Sequence, residues 1–184
     1  MENPERNQIL QHLSESRELL RQTVDGLSAE QRSFRPAADR WSVADCIEHL
    51  TIVENFTVKR IQQLLEQPPA GQPDTNGKDE LILDKVPVRS TRVKGPEGVM
   101  PTGRWPDFEE LLRQFEATRQ RTIGFAEATL ADLRAYAFQH PFLGPLDCYQ
   151  WLLFLATHCE RHVGQMEEVK SDPAFPGKVG TAIA

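Results

Sequence analysis

The sequence predicts an all-α protein, a four-helix bundle with one long loop between its second and third helices. Three observations carry that prediction. Four segments repeat apolar residues at intervals of three and four. Little of the chain shows the period-two alternation of strands. The one long Pro- and Gly-rich stretch falls between the second and third periodic segments. The 184 residues suit a single domain over 1–170 with a tail over 171–184, and a chain of this size buries roughly two-thirds of its unfolded surface.

From Asn7 to Leu27, the residues Ile9, Leu10, Leu13, Leu20, Val24 and Leu27 form the first helical stripe, with Glu15, Arg17, Glu18 and Arg21 on its wet side. Ser28 to Gln31 has the pattern of a capping box opening a short turn of helix, which Arg35-Pro36 ends. Ser42 is the expected N-cap of the second long helix, accepting from the amide of Asp45, and that helix runs to about Glu66. Gln67 to Trp105 holds six prolines, Pro68, Pro69, Pro73, Pro87, Pro96 and Pro101, and reads as a loop with a short extended piece at Leu81–Val88. A loop of that length inside a compact domain is often a lid or a binding segment.

Pro106 and Asp107 open the third helix, which reaches about Ala128, and Thr129–Leu133 reads as a further capped turn. His140-Pro141-Phe142 with Gly144-Pro145 breaks the chain before the last helix begins near Leu146 or Asp147. That helix continues to Val169, and the tail after it, with two prolines and two glycines, is expected to run over the surface.

In the last helix, His158 and His162 occupy the apolar stripe that Trp151, Leu155 and Val169 define. Four residues is slightly more than one turn, so both imidazoles project from one face, as they do when a helix presents two ligands to one metal ion. The best third ligand is His49, beside the stripe of Cys46, Leu50, Val53 and Phe56 in the second helix. Three histidines leave one position of a tetrahedral ion open for water or substrate, as in catalytic zinc sites. Such a site keeps its dipositive charge and lowers the pKa of a bound water or thiol.

The zincin motif HExxH is excluded. Here the segment is HCERH, and Glu160 lies about 200° around the helix from His158. Cys159 is also off the stripe and reads as a packed thiol. Asp45, one turn before His49, and Gln165, three residues after His162, are candidates to orient an imidazole through its other nitrogen, although capping is the commoner use of an acid at Asp45. His140 is a further candidate, with a backbone hydrogen bond in its turn as the ordinary alternative. His12 reads as a surface residue.

Composition narrows the function. A net charge of −6 disfavours a general affinity for nucleic acid, which depends on neutralising phosphates. No stretch has the ~20 apolar residues of a membrane span. Cys46, Cys148 and Cys159, odd in number and without a CxxC pair or a secretory leader, suit a reducing cytoplasm. Between Lys85 and Arg104 the basic residues face only Glu97; a solvated loop is the ordinary reading of such a run, and the alternative makes Arg89, Arg92 and Lys94 candidates for receiving an anionic ligand.

Three segments together resemble the DinB/YfiT-like superfamily of four-helix metalloproteins. They are WSVADCIEHL around His49, His140-Pro141 through Gly144, and HCERHVGQ, with its paired histidines and following glutamine. The resemblance runs from the first helix to Val169. It implies that His49, His158 and His162 hold a divalent metal, commonly zinc or nickel, in a bundle with one long crossover that often forms a homodimer. For activity it implies thiol S-transfer using a bacillithiol, mycothiol or glutathione type of cofactor, or isomerisation, or metal-dependent hydrolysis.

The preferred reading of the sequence is a metal-dependent transferase that activates a low-molecular-weight thiol for attack on an electrophile, because no general acid or base falls on the metal-facing stripes. The alternatives are a hydrolase using a metal-bound hydroxide and a non-catalytic metal-binding stress-response protein.

Overall fold

The computed structural model describes residues 1, 3–69, 75, 77–90, 93 and 95–177. Four long helices form the bundle: α1 (Asn3–Val24), α3 (Val43–Leu65), α5 (Phe108–Ala128) and α6 (Cys148–Lys170). Two short ones accompany them, α2 (Ala29–Ser33) and α4 (Lys78–Lys85). The caps expected at Ser28 and Ser42 are present, and Asp107 and Asp147 add two more. Ser28 and Ser42 close capping boxes with Gln31 and Asp45, Asp107 caps α5, and Asp147 closes a box with Gln150 at the start of α6.

Neighbouring helices in the bundle are α1 with α6, α6 with α3, α3 with α5, and α5 with α1. Side-chain pairings set their directions. Tyr149 bonds Gln8, Cys159 reaches the Ser16 carbonyl and Lys170 the Thr23 carbonyl, so α1 and α6 run parallel. Arg6 bonds the Thr129 carbonyl and Arg17 pairs with Glu116, so α1 and α5 are antiparallel. Trp41 stacks on His162 while His49 meets His158, so α3 and α6 are antiparallel as well.

It follows that α3 and α5 are adjacent and parallel. A parallel pair cannot be joined by a tight turn; the chain must travel back along the bundle. Residues 66–107 are that crossover, and their length is a consequence of topology.

The crossover departs from expectation at Leu81–Val88: Leu81–Lys85 is the second part of helix α4 rather than an extended piece, with Val86 as its C-cap. Ile82 and Val86 are buried four residues apart, Asp79 and Glu80 sit in the first turn of α4 and Lys85 in its last, so helical burial against α6 is available to this segment. A second departure is a small antiparallel hairpin ahead of α6, β1 (Ala137–His140) and β2 (Gly144–Asp147), with His140 opposite Gly144. Gly144 has φ +71°, a conformation open to glycine at little strain. The capped turn expected at Thr129–Leu133 falls slightly later, as a 3-10 turn at Leu133–Ala135 capped by Asp132. The tail does not simply lie on the surface: Phe175 is buried, edge-on to Phe34, and the Pro176 carbonyl accepts from Gln31.

The apolar core has two parts, one at each end of the bundle. Between them lies a polar layer. Arg119 of α5, fully buried, holds Glu54 of α3 with two parallel hydrogen bonds and donates to the Leu13 carbonyl and Ser16 Oγ of α1. No described helix is long and apolar enough to cross a membrane.

Candidate metal centre

His49, His158 and His162 come together where α3 and α6 face each other below the crossover. Their ligand atoms all lie within 4.8 Å of one another, and all three residues are buried. The contacts run through Nε2: His162 to His158 at 3.0 Å, and His49 to His158 at 3.4 Å. Nitrogens bound about 2.0–2.1 Å from a tetrahedral ion stand about 3.3 Å apart, so the spacing fits one shared ion.

The outer nitrogens explain why Nε2 is the converging atom. His49 Nδ1 lies 2.7 Å from the Val99 carbonyl and His162 Nδ1 lies 3.0 Å from Gln165 Oε1. Both partners are acceptors, so both Nδ1 atoms carry the proton and both Nε2 atoms present a lone pair. Gln165 cannot turn its amide the other way without facing Arg89, whose Nη1 donates to the same oxygen at 3.2 Å.

Protonation does not relieve this crowding. Burial lowers the pKa of all three rings, and mutual repulsion among the imidazoles lowers His158 and His162 further, well below the usual range. At neutral pH the rings are therefore neutral. His158 can offer one proton to two facing lone pairs, and its own Nδ1 is buried without a hydrogen-bond partner. A cation is the natural occupant of three converging lone pairs, and the donor set fits a divalent metal with imidazole ligands.

The other candidates divide. Gln165 orients His162. Asp45 touches none of the three rings: its carboxylate caps α3 at Ser42 and takes two hydrogen bonds from Arg35. His140 Nδ1 accepts from the amides of Phe142 and Leu143, which makes it a turn residue, and its ring reaches His158 only through Phe154. Arg89 lines the site, but its guanidinium is held by both oxygens of Glu168 and by Gln165, so its action runs through His162. Arg92 and Lys94 lie outside the described residues. The three cysteines are buried, and burial raises Cys148 and Cys159 to about 12 and Cys46 further, so none is a ready nucleophile.

Two participants escaped sequence reasoning. Trp41 stacks on His162 at 5.7 Å and leans over His49 at 4.8 Å between ring centres, which fixes both rings from outside. Glu48, 3 % exposed, faces the crossover and accepts from the amides of Thr102, Gly103 and Arg104. It anchors the segment that presents the Val99 carbonyl to the next residue, His49. The available signal was a carboxylate inside the apolar run CIEHLTIV, where a charge must find partners.

A cleft of about 1060 Å³ opens beside the three rings. Among its described lining residues Arg35, Arg40, Lys85, Arg89 and Arg161 are basic and Asp39 is the one acid. Arg161 also ties the crossover to α6 by donating to the carbonyls of Val86 and Val88.

Comparison with known proteins gives the family, and the relatives include a curated protein and a solved structure. The sequence profile of the DinB superfamily matches residues 12–166. YuaE, an uncharacterized protein of Bacillus subtilis (strain 168), is 24 % identical over 151 residues, which span 80 % of this chain and 88 % of YuaE. The structure of YfiT from Bacillus subtilis, described as a probable metal-dependent hydrolase with an unusual four-helix bundle topology, superposes with a TM-score of 0.62 at 16 % identity, covering 92 % of this chain and 88 % of YfiT.

Proposed function

Since the chain belongs to the DinB superfamily, we propose that it is a metal-dependent enzyme whose ion is held by His49, His158 and His162, zinc or nickel being the expected metal, and that it activates a low-molecular-weight thiol for attack on an electrophile. The convergence of three Nε2 lone pairs, two of them fixed by acceptors behind the rings, is the observation that carries this reading. A divalent ion with three neutral ligands keeps its full charge and lowers the pKa of a thiol or water bound at its remaining position.

The chain's own residues supply position and environment. Val99 and Gln165 hold two imidazoles in the ligating tautomer, Trp41 restrains their planes, and the crossover covers the site. In the transfer, the thiol gives up its proton, sulfur forms a bond to the electrophilic atom, and the leaving group departs with its bonding pair and a proton from solvent. Asp39 is the one described carboxylate on the cleft, so the lining is poor in general acids for a departing alcohol or amine, which supports thiol transfer over hydrolysis. Lys85 and Arg161, beside Arg35, Arg40 and Arg89 that are paired with Asp45 and Glu168, suit a thiol that carries carboxylates or phosphate.

Hydrolysis is the second reading, supported by the description of YfiT. One experiment addresses both. Purified without a histidine tag, the protein is expected to carry about one zinc or nickel ion per chain, lost in His49→Ala and His158→Ala. The loaded protein is then assayed with thiol-plus-electrophile pairs and with ester and amide substrates. Absence of metal, with none taken up on titration, would remove both readings.

A further inference from the structure

The cleft is polar at one end and aromatic at the other, with the three histidines between. Its wall along α6 reads, in chain order, Trp151, Phe154, His158, then Arg161, His162 and Gln165. At 1.5 Å per residue the wall from Trp151 to His158 extends about 10 Å. Beyond the histidines lie Arg35, Arg40 and Arg89; before them lie the hairpin and the second half of α3.

The aromatic end is built from ring contacts that continue up to the ligands. Phe154 stacks on His158, with ring planes 17° apart and centres 4.9 Å apart. Trp151 meets Phe154 edge to face and stacks on Phe138 at 4.3 Å. At the mouth stand Phe142 of the hairpin turn and Phe56 of α3, 56 % and 62 % exposed. Their exposure is not scattered. Of the seven large apolar side chains exposed among the described residues, Phe56, Val88, Val93 and Phe142 all line this cleft. Apolar exposure gathered at a concave site marks a binding surface.

We propose that the electrophilic substrate carries a flat, uncharged aromatic body, which lies between Phe142, Phe56 and the Trp151–Phe154 wall with its reacting atom toward the three histidines. As a statement about the substrate this rests on the metal-centre reading above; the binding of the aromatic body does not. Stacked and edge-to-face contacts reward a ring over a saturated body of equal size, and the side chains that build this end, Phe56, Phe138, Phe142, Trp151 and Phe154, carry no charge. The anionic thiol then approaches from the basic end, and the two reactants meet at the ligands from opposite sides.

The test uses the whole chain, metal-loaded and metal-stripped, with 2-naphthol and its saturated counterpart decahydro-2-naphthol as probes, titrated calorimetrically. Saturable binding of 2-naphthol in both forms, about 2- to 10-fold tighter than the saturated alcohol, is expected. Phe142→Ala and Phe56→Ala, both at exposed positions, should weaken it about tenfold at unchanged metal content, whereas Leu130→Ala, on an exposed residue away from the cleft, should not. No saturable binding, equal affinity for the two alcohols, or indifference to both phenylalanine variants would overturn the proposal. So would a dimer dissociated by Phe56→Ala that binds neither probe, which would give this face to a second copy. Metal without naphthol binding removes this proposal alone; naphthol binding without metal removes the metal centre and leaves the aromatic site.

Discussion

The Nε2 atoms of His158 and His162 stand 3.0 Å apart, one turn of α6 separating their backbones. In the neutral state that burial imposes, His158 has a single proton for the lone pairs of His49 and His162 that face it, and its own Nδ1 is buried without a hydrogen-bond partner.

The metal-free protein should therefore tolerate loss of one ring. His158→Leu is expected to leave its stability unchanged or raise it by about 1–2 kcal/mol. With zinc at 100 times its Kd the wild type should gain about 2.7 kcal/mol and the variant nothing. Urea unfolding with and without zinc checks both, and a variant destabilised without metal would mean the histidines are satisfied core groups.

Glu48, one residue before His49 on α3, should control the site through the crossover. Glu48→Gln removes a charge that three crossover amides share and loosens the Val99 carbonyl behind His49. Metal affinity, read by competition with a chelator, should fall about 10- to 100-fold. Amide exchange at Thr102–Arg104 should accelerate in the same variant, and unchanged exchange would break the link between anchor and ligand.

Arg89 is expected to act on metal rather than on an anionic ligand. Arg89→Ala frees Gln165 to turn its amide, so zinc affinity should drop several-fold, and Gln165→Ala should cost about tenfold or more. A loss of anionic-thiol affinity at unchanged zinc affinity would instead restore a direct role for Arg89 in binding the thiol.

The buried pair in mid-bundle predicts non-additivity. Arg119→Met leaves Glu54 charged and unpaired in the core and should destabilise by about 3–5 kcal/mol. Adding Glu54→Met should recover a large part of that loss, measurable as a coupling energy in denaturant unfolding.

His140 gives the fold a pH dependence of known sign. Burial lowers its pKa from 6.5 to about 4, so between those values the unfolded chain binds the proton that the folded chain refuses. Stability is then fully present above pH 6.5 and falls as pH drops toward 4. His140→Asn keeps an acceptor for the Phe142 and Leu143 amides without titrating. Its loss of stability from pH 7 to 4.5 should be smaller than that of wild type by about 1–2 kcal/mol, with solvent screening part of the full shift.

The sequence by itself determined the four long helices, the caps at Ser28 and Ser42, and the identity of the three histidines. Each depends on local chemistry: a stripe at helical period, a Ser that accepts from free amides, and two imidazoles one turn apart. Only the tertiary structure decided the rest. The hairpin before α6 is too short to show a strand period, and the helix at Lys78–Lys85 forms because Ile82 and Val86 find α6 to pack on. Whether Arg89 meets a ligand or Gln165, and whether Asp45 meets an imidazole or a helix end, depends on partners 76 residues away in one case and 10 and 3 in the other. A side chain's type fixes which bonds it is able to make; the packing of α3 against α6, and the return path forced on the crossover by two parallel helices, fix which it makes.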